Sequence, residues 1–481
     1  MNSTKKSIGN FRWTICSLLF FATTINYLDR QVLSLTWSDF IAPEFHWTNN
    51  DYGNITALFS IFYAVSLLFA GRLVDVLDTK KGFLWAIGVW SVGACLHAFA
   101  GIATSGILTG NWFVGFEGAK NAIKAVNDTG MVISTSVTLF IFARFVLAVG
   151  EAGNFPAAIK TTAEYFPKKD RAFATSIFNA GATVGALAAP ITIPFIAKAF
   201  GWEMAFIIIG ALGFVWMGFW VLLYDKPENH PMVSPEELEY IQQDVIADSK
   251  LVGYVAETAT KVSLKDCFRY KQTWAFAFGK FMTDGVWWFF LFWTPAYLSS
   301  VYDMDATEAA LPLFVLYMIT LLSIIGGWLP TYFVEKKGMN PYDGRMKAML
   351  IFAFFPLLAL VAQPLGHYTY WLPVIIIGIA GAAHQSWSAN IFTTVGDMFP
   401  KKAIATVTGI GGLAGGLGST LINKGSGVLF DYTKETNMAF MGFEGIEAGY
   451  FIIFSICAVC YLIGWSVMKT LVPKYSPITD L

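Results

Sequence analysis

The chain has 481 residues, of which 56% are hydrophobic and 14% are charged, and its formal net charge is −1. Soluble domains usually carry about 25% charged residues, so this composition excludes an ordinary soluble protein and indicates that much of the surface faces lipid. The near-zero net charge gives no support for nucleic acid as a partner, and the five cysteines show no spacing typical of a metal site or a disulfide framework.

Apolar segments of about 20 residues, the length that a helix needs to cross a bilayer, recur along the whole chain. They lack the alternation of a membrane β-barrel, so they predict an all-α polytopic membrane protein with twelve transmembrane helices in two six-helix bundles. The predicted spans are 12–36, 51–77, 82–101, 133–164, 171–198, 203–224, 273–300, 308–334, 347–365, 370–397, 403–430 and 447–470. We expect bundles at 1–224 and 273–481, joined by a cytoplasmic linker at 225–272.

Lys and Arg alternate between the loops in a way that sets the orientation. The loops 37–52 and 301–307 contain neither residue, whereas the N-terminal tail and every second loop are rich in them. The positive-inside rule therefore predicts that both termini lie in the cytoplasm. The basic residues behind this prediction are Lys5, Lys6, Arg12, Arg72, Lys80, Lys81, Lys168, Lys169, Arg171, Lys336, Lys337, Arg345, Lys347, Lys401 and Lys402. Within the linker, Ser234 as N-cap and Pro235 at the first position predict a short surface helix.

The two halves resemble each other in sequence. The segment FPKK at 166–169 recurs at 399–402, and 71–81 has a degraded counterpart at 327–337. The first half is longer between these segments, and we assign its additional residues to the loop 102–131. Internal repeats of this kind are typical of transporters whose binding site lies between two bundles near the midplane of the membrane.

Several stretches carry a family resemblance. The segment 71–81 resembles the loop signature of the major facilitator superfamily, although Val76 and Asp78 stand where a basic residue and a glycine are usual. A stronger similarity links the chain to the anion:cation symporter branch of that superfamily, whose bacterial members carry hexuronates such as glucuronate and galacturonate. The stretches behind it are NYLDRQ at 26–31, GEAGNFP at 150–156, WWFFLFW at 287–293 and HQSWSAN at 384–390. The resemblance implies two bundles that alternate between inward and outward openings, proton-coupled uptake of a sugar acid, and a place in the bacterial inner membrane.

Charged residues deep in the first-half spans point to a site without any help from the resemblance. A charge at the centre of a spanning helix costs roughly 2.5–3.5 kcal/mol on insertion scales, so such residues are usually functional. Arg30 is our candidate for the substrate carboxylate, because a guanidinium offers a fork of donors that fits it. Asn26 and Tyr27 share a helix face with Arg30 and would form a polar binding surface in mid-membrane, which helix locking does not need.

Three further charges are candidates for proton coupling. These are Asp29, Arg144 and Glu151. Arg144 and Glu151 are about two helical turns apart and face the same side, so the alternative is an ion pair that locks helices together. A carboxylate whose arginine partner is taken by a substrate anion loses its counter-charge and tends to bind a proton. The resemblance implies the same roles, with the acids in coupling and the first-span arginine in binding.

The second half supplies a further set of polar groups. Lys280 is either a second cation of the site or a lysine that snorkels to the membrane surface, and the resemblance favours the site. Tyr63, Asn179 and Trp288 are expected to face the cavity. The polar residues of span ten would be costly against lipid and should line it as well, with Trp387 placed to stack on a sugar ring. They are His384, which we interpret as structural, Gln385, Ser386, Trp387, Ser388 and Asn390. The glycines between 409 and 418 predict a close approach of helices.

The sequence thus predicts a transporter rather than an enzyme. We expect it to carry a small organic anion, most simply a hexuronate, together with protons, as a monomer in the lipid bilayer without metal or cofactor. Other sugar acids such as an aldonate, small carboxylates, sodium coupling and exchange remain as alternatives. A phosphate exchanger is disfavoured because the second half has no deep arginine, and a membrane enzyme because no nucleophile, metal or phosphate-binding motif is present. A sensor is disfavoured because 225–272 is too short for an output domain.

Overall fold

The computed structural model describes residues 9–243, 263–479 and 481. Lys5, Lys6 and the middle of the predicted linker, 244–262, lie outside the described residues. The helices of the first half are α1 (Phe11–Thr36), α2 (Ala42–Phe45), α3 (Asn49–Leu77), α4 (Thr79–Ala98), α5 (Ala100–Thr109), α6 (Gly115–Lys124), α7 (Thr129–Glu151), α8 (Asn154–Tyr165), α9 (Lys168–Phe200), α10 (Trp202–Leu223) and α11 (Pro235–Ile241). Those of the second half are α12 (Leu264–Cys267), α13 (Lys271–Tyr302), α14 (Ala310–Thr320), α15 (Ile324–Lys337), α16 (Pro341–Phe354), α17 (Ala362–Gly366), α18 (Trp371–Met398), α19 (Lys401–Glu435) and α20 (Ile446–Leu471).

Short irregular elements complete the described part of the chain. They are a π-helical turn (Trp37–Ile41), 3-10 turns (Pro227–Asn229, Leu321–Ser323 and Phe355–Val361) and a hairpin of β1 (Ala439–Phe440) with β2 (Phe443–Glu444). The two strands pair antiparallel. We call the side of the molecule on which α1 begins the terminus side, and the opposite side the distal side.

These helices account for the twelve predicted spans and confirm the predicted fold class. Among the described residues, eight spans are long and apolar enough to cross a membrane, and α4 with α5, bent by 53°, makes a ninth. The other three, α1, α13 and α19, are less apolar. They are the helices that carry Arg30, Lys280 and the glycine run, and all three reach the centre of the molecule.

The span predicted at 133–164 consists of α7 and α8, with a break at 152–153. Two glycines near the break bring α7 against α4. A Cβ on Gly150 would lie 2.3 Å from the backbone nitrogen of Trp90, and one on Gly153 would lie 2.7 Å from the Cβ of Ala86. Glycine also weakens the helix locally, so the same residues that permit the contact favour the break.

The two bundles meet through α3 with α19 and α9 with α14, and α1 faces α13 between them. Glycines allow the backbones of α3 and α19 to touch. A Cβ on Gly416 would lie 2.3 Å from the Cβ of Ala64, and one on Gly427 would lie 2.5 Å from the carbonyl oxygen of Asn49. The glycine run predicted to permit close helix approach does so here.

The predicted surface helix of the linker is α11, and it packs on the start of α1. Ser234 caps it by accepting a hydrogen bond from the backbone nitrogen of Glu237 at 3.1 Å. The Glu237 carboxylate is fully buried and accepts from the backbone nitrogens of Phe11 and Arg12 at 3.1 and 3.0 Å, while the Arg12 guanidinium lies 3.1 Å from it. Glu237 therefore satisfies amides that α1 itself leaves open, and it fixes the first part of the linker to the first bundle.

The additional residues of the first half form the end of α5 and α6 on the distal side, against α2. Lys120 of α6 lies 3.4 Å from Glu203, and the Trp202 indole donates to Glu44 of α2 at 2.9 Å. Burial raises the pKa of Glu44 to about 7, an effect that the nearby Glu203 carboxylate reinforces.

We predict that Glu44 makes stability pH-dependent. Because its folded pKa lies above the unfolded value, its contribution is fully present below the unfolded pKa and is lost as the pH rises through about 7. Glu44→Gln keeps an acceptor for Trp202, so at pH ~8.5 it should raise the free energy of unfolding by about 1–2 kcal/mol and at pH ~4 leave it unchanged. Thermal unfolding in detergent measures this. Glu444→Gln, an exposed control on the same side, should show no change, and equal gains for Glu44→Gln at both pH values would contradict the prediction.

Candidate functional site

A cavity of about 230 Å³ lies at the centre of the molecule between the two bundles. Five helices, α1, α3, α13, α18 and α19, form its wall. The lining residues are Tyr27, Arg30, Ser60, Tyr63, Ala64, Leu67, Lys280, Asp284, Trp287, Trp288, His384, Gln385, Ser388, Phe392, Gly412 and Gly416. Both bundles thus contribute charged, aromatic and polar side chains to one cavity.

An ion pair between Arg30 and Glu151 joins α1 to α7 at this cavity. The Arg30 Nε and Nη2 atoms donate to the same carboxylate oxygen, Oε2, at 3.0 and 2.7 Å. The other oxygen of Glu151 is buried without a hydrogen-bond partner among the described residues. The guanidinium fork is therefore engaged by a single oxygen, and a carboxylate approaching from the cavity with two oxygens can make a better contact.

Aromatic rings surround the Arg30 guanidinium. The rings of Tyr63, Trp288 and Tyr27 have their centroids 4.7, 4.9 and 5.2 Å from its central carbon. Tyr27 and Tyr63 belong to the first bundle, whereas Trp288 belongs to the second. Cation–π contacts stabilise a partly desolvated guanidinium, and flat ring faces also suit the C–H faces of a sugar.

The other deep charges of the first half, on Asp29 and Arg144, lie behind Arg30 and do not line the cavity. Both carboxylate oxygens of Asp29 and the amide atoms of Asn26 are buried and have no hydrogen-bond partner among the described residues. Arg144 reaches the backbone carbonyl of Arg30 at 3.5 Å and packs on a phenylalanine ring. Glu151 pairs with Arg30 rather than with Arg144, so the interhelical ion pair considered from the sequence forms between α1 and α7 through Arg30.

Lys280 forms an ion pair with Asp284, one turn further along α13. Their charged atoms are 2.7 Å apart, and their side chains are 6% and 14% exposed. The ammonium also lies 4.2 Å from the ring centroid of Phe392. The structure therefore places Lys280 on the cavity wall and not at the membrane surface. Sequence reasoning missed Asp284, although an acid four residues from a lysine on a helix was a usable signal.

The polar residues of span ten divide between two faces of α18. His384, Gln385 and Ser388 line the cavity, and the His384 ring stacks on Trp287 with centroids 5.3 Å apart. The others face neighbouring helices. Ser386 bonds to the backbone oxygen of Ala382 at 2.9 Å, Asn390 bonds to that of Gly326 at 2.9 Å, and Trp387 is fully buried with its ring edge toward Tyr461.

Neither Asn179 nor the described part of span eleven supplies a polar side chain to the cavity. Asn179 has an exposed side chain on α9 and does not line the cavity. From span eleven, α19 presents the glycines 412 and 416 to the cavity. Asn423 lies further toward the distal side, where it accepts a hydrogen bond from the Trp293 indole at 2.9 Å. At the cavity, α19 therefore presents glycine backbone and leaves open the space that a side chain would fill.

Hydrogen bonds close the molecule on the distal side of the cavity. Hydrogen bonds and ion pairs join the bundles at the level of Ser60 and Ser419 and further toward that side. They are Ser60–Ser419 at 3.0 Å, Tyr52–Phe292 at 2.8 Å, Ala57–Thr420 at 3.2 Å, Asn54–Lys424 at 2.6 Å with Asn50–Lys424, Asn49–Asp431 at 2.9 Å with Asn50–Asp431 at 2.6 Å, Asp39–Ser299 at 3.2 Å with Asp39–Ala306 at 2.5 Å, and Lys198–Asp305 at 3.0 Å with Lys198–Thr307 at 3.1 Å. The bundles are thus tied together on one side of the cavity.

Comparisons with known proteins show which family, relatives and solved structures this chain resembles. A family model described as Major Facilitator Superfamily matches residues 19–422. The chain is 28% identical to a hexuronate transporter of Escherichia coli strain K12 over 96% of this chain and 95% of that protein. It is 25% identical to a probable galactarate/D-glucarate transporter of the same strain, over 95% of each. Its fold resembles the crystal structure of a bacterial homolog of the human lysosomal transporter Spinster, with a TM-score of 0.67, 17% identity, and coverage of 96% of this chain and 97% of that one.

We predict that Asp431 holds the distal side closed. Its carboxylate accepts from the backbone nitrogens of Asn49 and Asn50, and each hydrogen bond to a charged group is worth about 1.5–3 kcal/mol. Asp431→Ala should therefore increase the distally open population at least ~10-fold. Labelling of Ser388→Cys by an impermeant maleimide added from the distal side measures this population.

The control for that experiment is Glu435→Ala, which removes an exposed acid from the same helix end. The control should label at the rate of the Ser388→Cys parent. An unchanged rate in Asp431→Ala would mean that Asp431 does not hold the closure.

Proposed function

Because this chain belongs to the Major Facilitator Superfamily, we propose that it takes up a sugar acid anion, most simply a hexuronate, together with protons by alternating access. The observation that carries this proposal is the Arg30–Glu151 pair on the wall of the central cavity. The pair combines a cation that fits a carboxylate with an acid that can exchange its partner for a proton. The similarity to hexuronate and galactarate/D-glucarate transporters supports a sugar acid as the class of substrate.

Arg30 binds the substrate carboxylate in this proposal. Glu151 meets the guanidinium with one oxygen, so a substrate carboxylate that offers two oxygens replaces it with a gain in geometry. Trp288, Tyr63 and Tyr27 lie around the guanidinium and can pack on the sugar ring, while Gln385 and Ser388 offer hydrogen bonds to hydroxyl groups. Lys280 lies on the same wall and adds a second positive charge.

Proton coupling follows from the displacement of Glu151. An ionised carboxylate that has lost its cation is costly in a low-dielectric interior, so proton uptake accompanies substrate binding. Asp29, buried behind Arg30 without a hydrogen-bond partner among the described residues, is the second candidate for a proton. Arg144, which contacts the backbone of Arg30, links the two acids.

Alternating access requires the bundles to separate on the side where they are now tied. With both termini in the cytoplasm, as the basic loops predict, the distal side faces outward. The state described here is then closed to the outside, and substrate entry begins when the distal contacts break. We place the chain in the bacterial inner membrane as a monomer, with bundles at 1–224 and 273–481 and the segment 225–272 between them. Another organic anion, exchange or sodium coupling are the alternatives to test.

Uptake into proteoliposomes tests the function itself. Labelled glucuronate or galacturonate should accumulate beyond equilibrium only with an inward proton gradient, and Arg30→Ala should reduce uptake at least ~100-fold because a buried anion loses its cation. Arg269→Ala, which changes an exposed arginine of the second half, should keep parental uptake. Uptake of neither sugar acid, with binding of another anion, would keep the site and change the substrate. No binding of any anion would make the charged cluster purely structural.

A second variant tests coupling separately from binding. Glu151→Gln should still bind the sugar acid, since Arg30 becomes available, but should lose accumulation driven by the proton gradient. Equilibrium binding and gradient-driven uptake are measured on the same preparation. Glu239→Gln, on the exposed face of α11, serves as control. Continued accumulation against a gradient by Glu151→Gln would remove Glu151 from the coupling mechanism.

A further inference from the structure

We propose that Asp284 is a second proton-binding carboxylate, released from Lys280 when the second carboxylate of a bound sugar diacid engages the ammonium. This inference rests on the proposed function, because it concerns the same cavity. It adds a switch in the second bundle to the one formed by Arg30 and Glu151 in the first. The proton comes from water on the side to which the cavity opens, and it converts the Asp284 carboxylate to the neutral acid.

The pair is poorly suited to a purely structural role. Lys280 and Asp284 are one turn apart on α13, so their 2.7 Å contact joins no two helices. Burying two ions is costly, and that cost is usually offset where the pair fixes one element against another. Two neutral residues at these positions would avoid it. Since both side chains line the central cavity, contact with a ligand is what the charges can provide.

The position of Asp284 depends on a glycine of the neighbouring helix. A Cβ on Gly415 would lie 2.2 Å from the Oδ2 atom of Asp284 and 2.9 Å from its Cγ. The next residue of α19, Gly416, packs against Ala64 of the first bundle. Asp284 therefore lies close to the contact surface between the two bundles. A change in its charge acts on this surface, along which the bundles move.

The groups around Asp284 leave Lys280 as its cation. From α18 and α20 the facing titratable groups are His384 and Tyr461, which are hydrogen-bonded to each other at 2.7 Å, and α19 offers backbone at Gly415. Across the cavity, Arg30 is already engaged by Glu151. When a substrate carboxylate takes the ammonium, no second cation among the described groups facing Asp284 replaces it, so the Asp284 carboxylate binds a proton.

The test counts the protons taken up when D-glucarate, a sugar diacid, binds to the full chain in weakly buffered detergent, using a pH indicator. Asp284→Asn should take up one proton fewer per D-glucarate than the parent, and its affinity should depend less steeply on pH. Glu444→Gln should match the parent. If Asp284→Asn does not fold because Lys280 has lost its partner, the double variant Lys280→Gln/Asp284→Asn removes both charges. That variant should also take up one proton fewer, and it should bind at least ~10-fold more weakly.

The outcomes separate the two proposals. D-glucarate binding with the parental number of protons in either variant would overturn the role of Asp284 and leave the proposed function standing. Absence of sugar acid binding and uptake in the parent chain would overturn the proposed function, and the role of Asp284 with it.

Discussion

An ionised side chain in the middle of a helical bundle needs a counter-charge within contact distance, and this requirement organises the centre of the molecule. Arg30 meets Glu151 between two helices, and Lys280 meets Asp284 along one helix. Each of these two cations is thus neutralised by one carboxylate before a ligand binds. In the proposed function, a negatively charged ligand replaces a carboxylate, so that binding an anion and binding a proton are two parts of one electrostatic exchange.

The surroundings of Arg30 connect this exchange to the movement of the bundles. The arginine belongs to the first bundle, yet the Trp288 ring that covers it comes from the second. Under the proposed alternating access, a shift of the bundles changes the aromatic neighbours of the guanidinium and the hydration of its ion pair. The distal hydrogen bonds and the central ion pair would then respond to the same displacement, although they lie at different depths.

Bilayer thickness and helix geometry made the twelve spans and the two bundles predictable from sequence, and the cost of buried charge made the place of Arg30 at the central cavity predictable. For Lys280 the residues alone left snorkelling open, and only the resemblance favoured the cavity. The faces of α18 were not predictable. Asn390 and Ser386 satisfy their polar groups on backbone carbonyls of packed helices, so a polar residue in a spanning helix does not reveal whether it meets a cavity or a neighbour. In the sequence, Glu237 is an acid in the first turn of a short helix. Its contact with Phe11 could not be predicted, because the two residues are distant along the chain.

The contact between Glu237 and the start of α1 has a consequence for biogenesis. During synthesis α1 is made before the other helices of the first bundle, but it carries Asp29 and Arg30 in its interior and is one of the least apolar spans. Arg30 can form its ion pair only after α7, which carries Glu151, has been made. The backbone amides at the start of α1 can donate to Glu237 only after α10 has been completed. The α1 helix therefore reaches its stable arrangement only after the whole first bundle has been made, and membrane insertion of this protein must keep α1 in an intermediate state until then.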